Sequence, residues 1–406
     1  MRTTSLCEDF VTASLAAAAA TPNVRRASVR ALFDYWGCVA SGSREMPQPP
    51  FDQAGRLAFQ AHLGDMDDLH LGTLTHPGGV VWSAAIAAGL ERSAAIEDVL
   101  RAGAFGYEVT IRLAEALGPE HRLRWHVTTT AGTVGAAGAA ALLLGSDRET
   151  VVGAVAHAMS VTGGSANAMI ERSGTRFLHR AHAATSGLEC ARAASAGVGA
   201  STSILESGSG ALGGVDPDAL RGSLLGRSER ACIEEVGFRL HGATGFAHAA
   251  IDAALELGPV EPATVERVDV TISPPAALRL ASNPSPADDT EAWWSIEHAV
   301  AVALATGGAG PLTPGLSDQP EIHALCQRVC LTPDADGRGA TVRVTMTGQV
   351  RSMVSVEPAG HLHRPASDRQ LIDKWSRLSG GNGAAAFERL ATAGELPLSW
   401  LLEALA

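Results

Sequence analysis

The sequence predicts a mainly α protein in which a large all-helical domain, discontinuous along the chain, is interrupted by a smaller α+β domain. Three observations lead there. Apolar residues recur at three- and four-residue spacing from Asp9 to about Leu257, with Gly, Pro or Ser at the breaks. After Gly258 the spacing turns to alternation, and from Ser367 to Ala406 it returns to helical. A length of 406 residues agrees with more than one domain, since single cores stop growing near roughly 250–300 residues. The expected division is a helical domain at 1–258, an α+β domain at 259–366, and helices at 367–406 that pack back on the first domain. A domain inserted into another creates a cleft, where ligands commonly bind.

Thr21-Pro22 opens a helix carrying Val29, Leu32, Phe33 and Trp36. Helices follow at Gly79–Ser93, Ile96–Leu117, Thr129–Leu144 and Val151–Ser160, the last preceded by Ser146-Asp147-Arg148-Glu149 with capping-box spacing. Their many Ala and Gly faces imply closely packed helices. In the α+β part, Val265, Val268, Val270 and Ile272 read as a strand followed by Pro274-Pro275. Val342, Val344 and Met346 meet Val350, Val354 and Val356 across Thr347-Gly348-Gln349 as a hairpin. Helical pieces are expected at Ser295–Ala305 and Glu321–Val329.

Composition narrows the function classes. Lys and Arg number 31 against 43 Asp and Glu, a formal charge of −12, which argues against a nucleic-acid or anionic-membrane surface. A small anionic substrate then needs locally concentrated Arg and His. Hydrophobic residues make up 46%, yet no uninterrupted apolar run approaches bilayer-spanning length. Glu8 and Asp9 interrupt any apolar signal region. A soluble, cytoplasmic protein is expected. The six cysteines are scattered, so neither a disulfide framework nor a four-thiolate zinc site is indicated; Cys326 and Cys330 are expected on one helical face. Lys374 is the only lysine, against 30 arginines.

Asp65-Met66-Asp67-Asp68, followed closely by His76-Pro77-Gly78-Gly79, is the most informative stretch. It sets carboxylates and an imidazole beside a glycine pair, where proton-moving groups can face a ligand; the bland alternative is a solvated turn and a helix start. Trp125-His126-Val127-Thr128-Thr129-Thr130 precedes a small-residue helix. There a helix N-terminus and three Thr hydroxyls form a carboxylate cradle, unless Thr128 or Thr129 merely caps the helix. The third cluster is Arg176-Phe177-Leu178-His179-Arg180-Ala181-His182 with Arg239-Leu240-His241, Thr244 and His248. Arginine holds carboxylates through two parallel hydrogen bonds but is a poor proton shuttle.

Other motifs carry less. Gly208-Ser209-Gly210-Ala211-Leu212-Gly213 matches a dinucleotide fingerprint but lacks the strand before and the helix after. The D-x-D-D form also occurs in one class of terpene cyclase, but a carbocation cavity wants aromatic lining and aromatics are 4% here. Asp65, Asp67, Asp68, His70 and His76, or His361 and His363, offer metal-binding atoms without a diagnostic spacing. No metal and no cofactor is expected.

Taken in order, the clusters resemble the MmgE/PrpD family, which includes 2-methylcitrate dehydratase, cis-aconitate decarboxylase and an iminodisuccinate epimerase. The resemblance runs from Asp34-Tyr35-Trp36-Gly37 through D-x-D-D and T-H-P-G-G, Gly106-Tyr107-Glu108 with Arg112, and Trp125-His126-x-Thr. It continues through Thr175-Arg176-Phe177-Leu178-His179 and Phe246–Ala254 to Ser295-Ile296-Glu297-His298. It implies a helical domain with a smaller α+β lid, usually in a homodimer with the active site between the domains.

The resemblance also suggests Asp65, His76 and His126 as catalytic residues of the helical domain, with Thr128, Arg176, Arg239, His248 and His298 binding substrate. Arg176 and Arg239 stand where members acting on polycarboxylates typically carry lysine, and His298 where tyrosine is common. A changed substrate or reaction competes with compositional drift in a chain that has one lysine. The expected activity is a cofactor-independent lyase, of dehydratase or decarboxylase type, acting on a small di- or tricarboxylate by proton transfer next to a carboxylate. The alternatives are an epimerase or isomerase of a substituted succinate and a non-catalytic binding relative that kept the fold.

Overall fold

The computed structural model describes residues 5–171, 173–207, 212–213, 217–226, 230–273, 281–308, 319–334 and 339–403. Gly208–Ala211 of the glycine-rich motif and Pro274-Pro275 lie outside them. The chain is mainly α with a small α+β part and divides into two compact units. The first comprises Met1–Leu63, Asp67–Gly237 and Asp368–Ala406; the second comprises Gly64–Met66 and Phe238–Ser367. The chain therefore passes into the second unit at Phe238, earlier than the change of texture at Gly258.

The first unit is helical throughout. Its centre is the helix Val127–Leu143, buried on nearly every side because its residues are small. Helix Ile96–Arg122 lies so close that a Cβ on Gly135 would stand 2.0 Å from Thr110 Oγ1 and 2.4 Å from the Gly106 carbonyl; small residues there let the two backbones approach. Helices Pro77–Glu91 and Thr175–Ser195 also pack on it. The helix Ile96–Arg122 is broken at Gly118-Pro119, where Gly118 has φ 67°, so the expected end at Leu117 marks a kink with one further turn beyond it. Asp147, not Ser146, caps the helix Arg148–Val161 by accepting from the Thr150 amide at 2.9 Å.

Helix Asp368–Ser379 packs on helix Pro22–Glu45. There the only lysine, Lys374, donates to Asp34 Oδ1 at 2.6 Å, both side chains 1% exposed. A buried pair of this kind survives only where the two charges match closely. Among the described residues no helix is long and apolar enough to cross a membrane.

The second unit is built on a four-stranded sheet in the order β2-β1-β3-β4, with β1 Val265–Ile272, β2 Val329–Pro333, β3 Ala340–Met346 and β4 Gln349–Ser355. β1 pairs parallel with β2 and antiparallel with β3, and β3 and β4 form the expected hairpin around Gly348 at φ 75°. Strand β2 corrects the sequence reading: the helix there is Pro320–Cys326, and Cys330 lies in β2, so Cys326 and Cys330 share no helical face. Helices His248–Leu257 and Ile296–Thr306 bury their apolar sides with Val268, Val270, Val342 and Val344. The helix His248–Leu257, read from the sequence with the helical domain, thus belongs to the core of the sheet unit.

Candidate active site

In the first unit the end of helix Gln53–Leu63, Asp67 and three helix starts bring together four imidazoles, a carboxylate and a buried arginine. Asp67, 1% exposed, is the centre. Its Oδ1 lies 2.9 Å from His62 Nδ1, and its Oδ2 accepts from Arg180 Nη1 at 2.5 Å and stands 3.5 Å from His76 Nδ1. His76 precedes helix Pro77–Glu91 and shares its Nδ1 with the Asp68 carbonyl at 2.8 Å. Both neighbours of Nδ1 accept, so that nitrogen carries the proton and Nε2 carries the lone pair of the neutral ring. The His76 amide donates to Thr128 Oγ1 at 3.2 Å, joining the two sequence clusters.

His126 stands at the start of helix Val127–Leu143, with its Nδ1 3.3 Å from His179 Nδ1. Its amide donates to the Gly164 carbonyl at 2.8 Å. Gly164 is required there: its φ is +113° and a Cβ would meet Thr129 Oγ1 at 2.5 Å. Burial, then Arg180 and the neighbouring imidazoles, holds His126 well below the usual histidine range, so its ring is neutral at pH 7. His179 is lowered too, by burial and then His182.

Asp68 turns away from the imidazoles. It accepts from Tyr107 Oη at 2.5 Å and from the Gly78 amide at 3.0 Å, and burial pushes its carboxyl up to about 7. The first glycine of H-P-G-G makes room for this contact, since a Cβ on Gly78 would stand 2.6 Å from Tyr107 Oη. Glu108 and Arg112 of the adjoining motif form a buried pair at 2.8 Å and support the helix. Arg176, 3% exposed, places its guanidinium 4.5 Å from the Phe177 ring centre, and Phe177 packs on His62.

The threonine cradle is corrected in part. Thr129 gives its hydroxyl hydrogen to backbone carbonyls of His126 or Gly163, and Thr130 pairs with His121 Nε2 at 2.7 Å. Only Thr128 faces His76. Asp65, with φ 46°, is grouped with the second unit, and its carboxylate accepts from Arg239 Nη2 at 2.8 Å. The carboxylate touching His76 is Asp67.

The second unit holds the other expected binding residues. His241 Nε2 lies 2.8 Å from Asp252 Oδ1, and the His241 ring meets His248 edge to face. His248 is fully buried with Nε2 3.1 Å from the Ala243 carbonyl, and burial holds it well below its ordinary range. His298 starts helix Ile296–Thr306, where its amide donates to Ser295 Oγ at 2.9 Å and burial lowers its pKa.

The sequence reading placed Asp67, His179 and Arg180 in its clusters without giving them a catalytic or binding role, and it missed His62. One signal pointed to two of them: Arg176, His179 and Arg180 share a helical face at i, i+3 and i+4. For a metal, His70, Glu115 and Glu235 bring ligand atoms within 4.8 Å of one another in the first unit, with His70 Nδ1 held by Thr73 Oγ1 at 2.8 Å.

The same stretches are those matched by family models. Residues 54–219 match the MmgE/PrpD N-terminal domain and residues 241–392 match the MmgE/PrpD C-terminal domain. The chain belongs to the MmgE/PrpD family. Comparison with curated proteins gives no match. The MmgE/PrpD N-terminal match includes His62, Asp67, His76, His126, His179 and Arg180; the C-terminal match includes His241, His248 and His298, with Arg239 just outside it.

Proposed function

We propose that the protein is a cofactor-independent lyase of dehydratase or decarboxylase type acting on a small di- or tricarboxylate. The observation that carries this reading is the cluster of buried His126, Asp67 and Arg180 with half-buried His76 and His179 in a chain of a dehydratase-type family. His126, kept neutral by burial and by Arg180, takes the proton from the carbon next to a carboxylate. Arg176 holds a substrate carboxylate, and its fixed charge stabilises the electron density that builds there. His76 is the acid: Asp67 beside Nδ1 supports the positive ring before it protonates the departing hydroxyl of an elimination or, in a decarboxylation, the carbanion left when the C–C bond to the departing carbon dioxide breaks in place of a C–H bond. Base, acid and cation complete the chemistry, so activity is expected to survive chelators.

Deuterium wash-in from heavy water tests this with 2-methylcitrate, citrate, cis-aconitate and substituted succinates. The expected result is exchange at the carbon next to a carboxylate, lost in His126→Ala. No exchange with any of these carboxylates would remove the reading. Exchange without net elimination or loss of carbon dioxide would favour the epimerase, in which two imidazoles serve opposite faces of one carbon.

A further inference from the structure

We infer that His241, oriented by Asp252 beside Arg239, accepts a hydrogen bond from the hydroxyl or amino group of a carboxylate ligand. The inference rests on the carboxylate reading above and adds the feature by which the second unit selects among carboxylates. His241 and His248 are 5% and 0% exposed, and the Nδ1 atoms of both, with that of His361, meet no hydrogen-bond partner among the described residues. Three such nitrogens near one arginine are unusual, because buried polar atoms are nearly always paired. The Nε2 atoms of the first two rings face acceptors only, the Asp252 carboxylate and the Ala243 carbonyl. Each Nε2 therefore carries the hydrogen, and in the neutral form of either ring Nδ1 is the atom that keeps the lone pair. Arg239 and His361 lie close enough to depress the His248 pKa electrostatically. The chemistry on offer is a fixed positive charge with hydrogen-bond acceptors, which suits a carboxylate bearing a donor on a nearby carbon.

Asp252 makes the idea testable, since its second oxygen, Oδ2, accepts from the Ala359 amide at 2.6 Å. In Asp252→Asn the amide oxygen must keep that bond, which turns the amide nitrogen towards His241 Nε2. Nε2 must then accept, the ring proton moves to Nδ1, and the lone pair offered to the ligand becomes an N–H. His241→Phe removes the acceptor while keeping a ring.

Calorimetric titration of the full chain uses two matched pairs that differ by one hydroxyl, citrate against tricarballylate and malate against succinate. The wild type is expected to prefer the hydroxylated member of at least one pair by about tenfold, the worth of one good hydrogen bond. The preference is expected to fall below about twofold in His241→Phe and in Asp252→Asn, and to persist in His126→Ala. Thermal unfolding of each variant checks the fold, and His241→Phe decides the matter if Asp252→Asn does not fold. Equal binding within both pairs by the wild type, or a preference that survives in His241→Phe, overturns the assignment of His241 while proton exchange keeps the lyase reading. Absence of binding by all four overturns both.

Discussion

The His126 cluster and the His241 cluster each gather imidazoles near an arginine and a carboxylate, yet they spend the carboxylate differently. In the first unit Asp67 is shared by Arg180, His62 and His76, so one anion balances a cation and touches two rings. In the second unit Asp252 meets a single ring: it orients His241, takes the Ala359 amide and stands 3.4 Å from Arg364 Nη1, while Arg239 is matched by Asp65. A shared carboxylate suits groups whose charge changes during a reaction. One that meets a single ring suits a histidine that must keep one tautomer. Under the functions proposed above, the first arrangement suits proton transfer and the second suits recognition.

The largest effects are expected in the first unit. His126→Ala and His76→Ala should each lower the deuterium-exchange rate at saturating substrate by about 10²–10⁴-fold, the range for a general acid or base. His241→Phe should leave the saturated rate within a few fold. Equal losses in both clusters would break the division of labour. Asp67→Asn is expected to cost about 3–5 kcal/mol in denaturant unfolding as well, because it breaks the buried ion pair with Arg180, 2% exposed.

Binding variants come next. Arg176→Gln and Arg239→Gln should raise KM by about tenfold with little change in kcat, because an interaction lost equally from ground and transition states leaves the chemical step alone. A fall in kcat for Arg176→Gln alone would move that residue into the chemistry. The conservative change Arg176→Lys is expected to act in the same direction but more weakly, since a point charge replaces a planar fork. Better activity on citrate-like substrates in that variant would instead favour compositional drift as the origin of the arginine.

The smallest effects concern pH and stability. Burial, then Arg239, lowers His361 from 6.5 to about 4. Between those values the unfolded chain binds the proton and the folded chain does not, so stability falls as pH drops below 6.5. The loss at pH 5 is about 2 kcal/mol for this one ring. Asp68 has the opposite sign, because its carboxyl is raised from 3.8 to about 7 and favours the folded state as pH falls through that window. Asp68, in the first unit, thus works against the acid sensitivity that His361 brings to the second. Denaturant unfolding of His361→Gln at pH 7 and pH 5 should show a pH dependence smaller by about 2 kcal/mol; an unchanged difference would refute the assignment.

The helical texture, the hairpin at Gly348 and the helix starts at His76 and His126 were legible because each depends on local spacing. Strand β2 was not, since a short apolar run at Val329–Pro333 fits helix or strand equally until β1 supplies a pairing edge. The choice among Asp65, Asp67 and Asp68 was likewise invisible. It is made by partners far along the chain: Arg239 for the first, Arg180 at a separation of 113 residues for the second, and Tyr107 for the third. The sequence motif marked the neighbourhood, and tertiary pairing assigned the tasks.

The lone lysine gives the molecule an internal probe. Lys374 is the only side-chain primary amine, and its contact with Asp34 shields it from solvent at 1% exposure. An acylating reagent therefore reaches that amine only when helix Asp368–Ser379 lifts from helix Pro22–Glu45. The rate of a single mass increment at Lys374 becomes a clock for that opening, readable in unmodified protein.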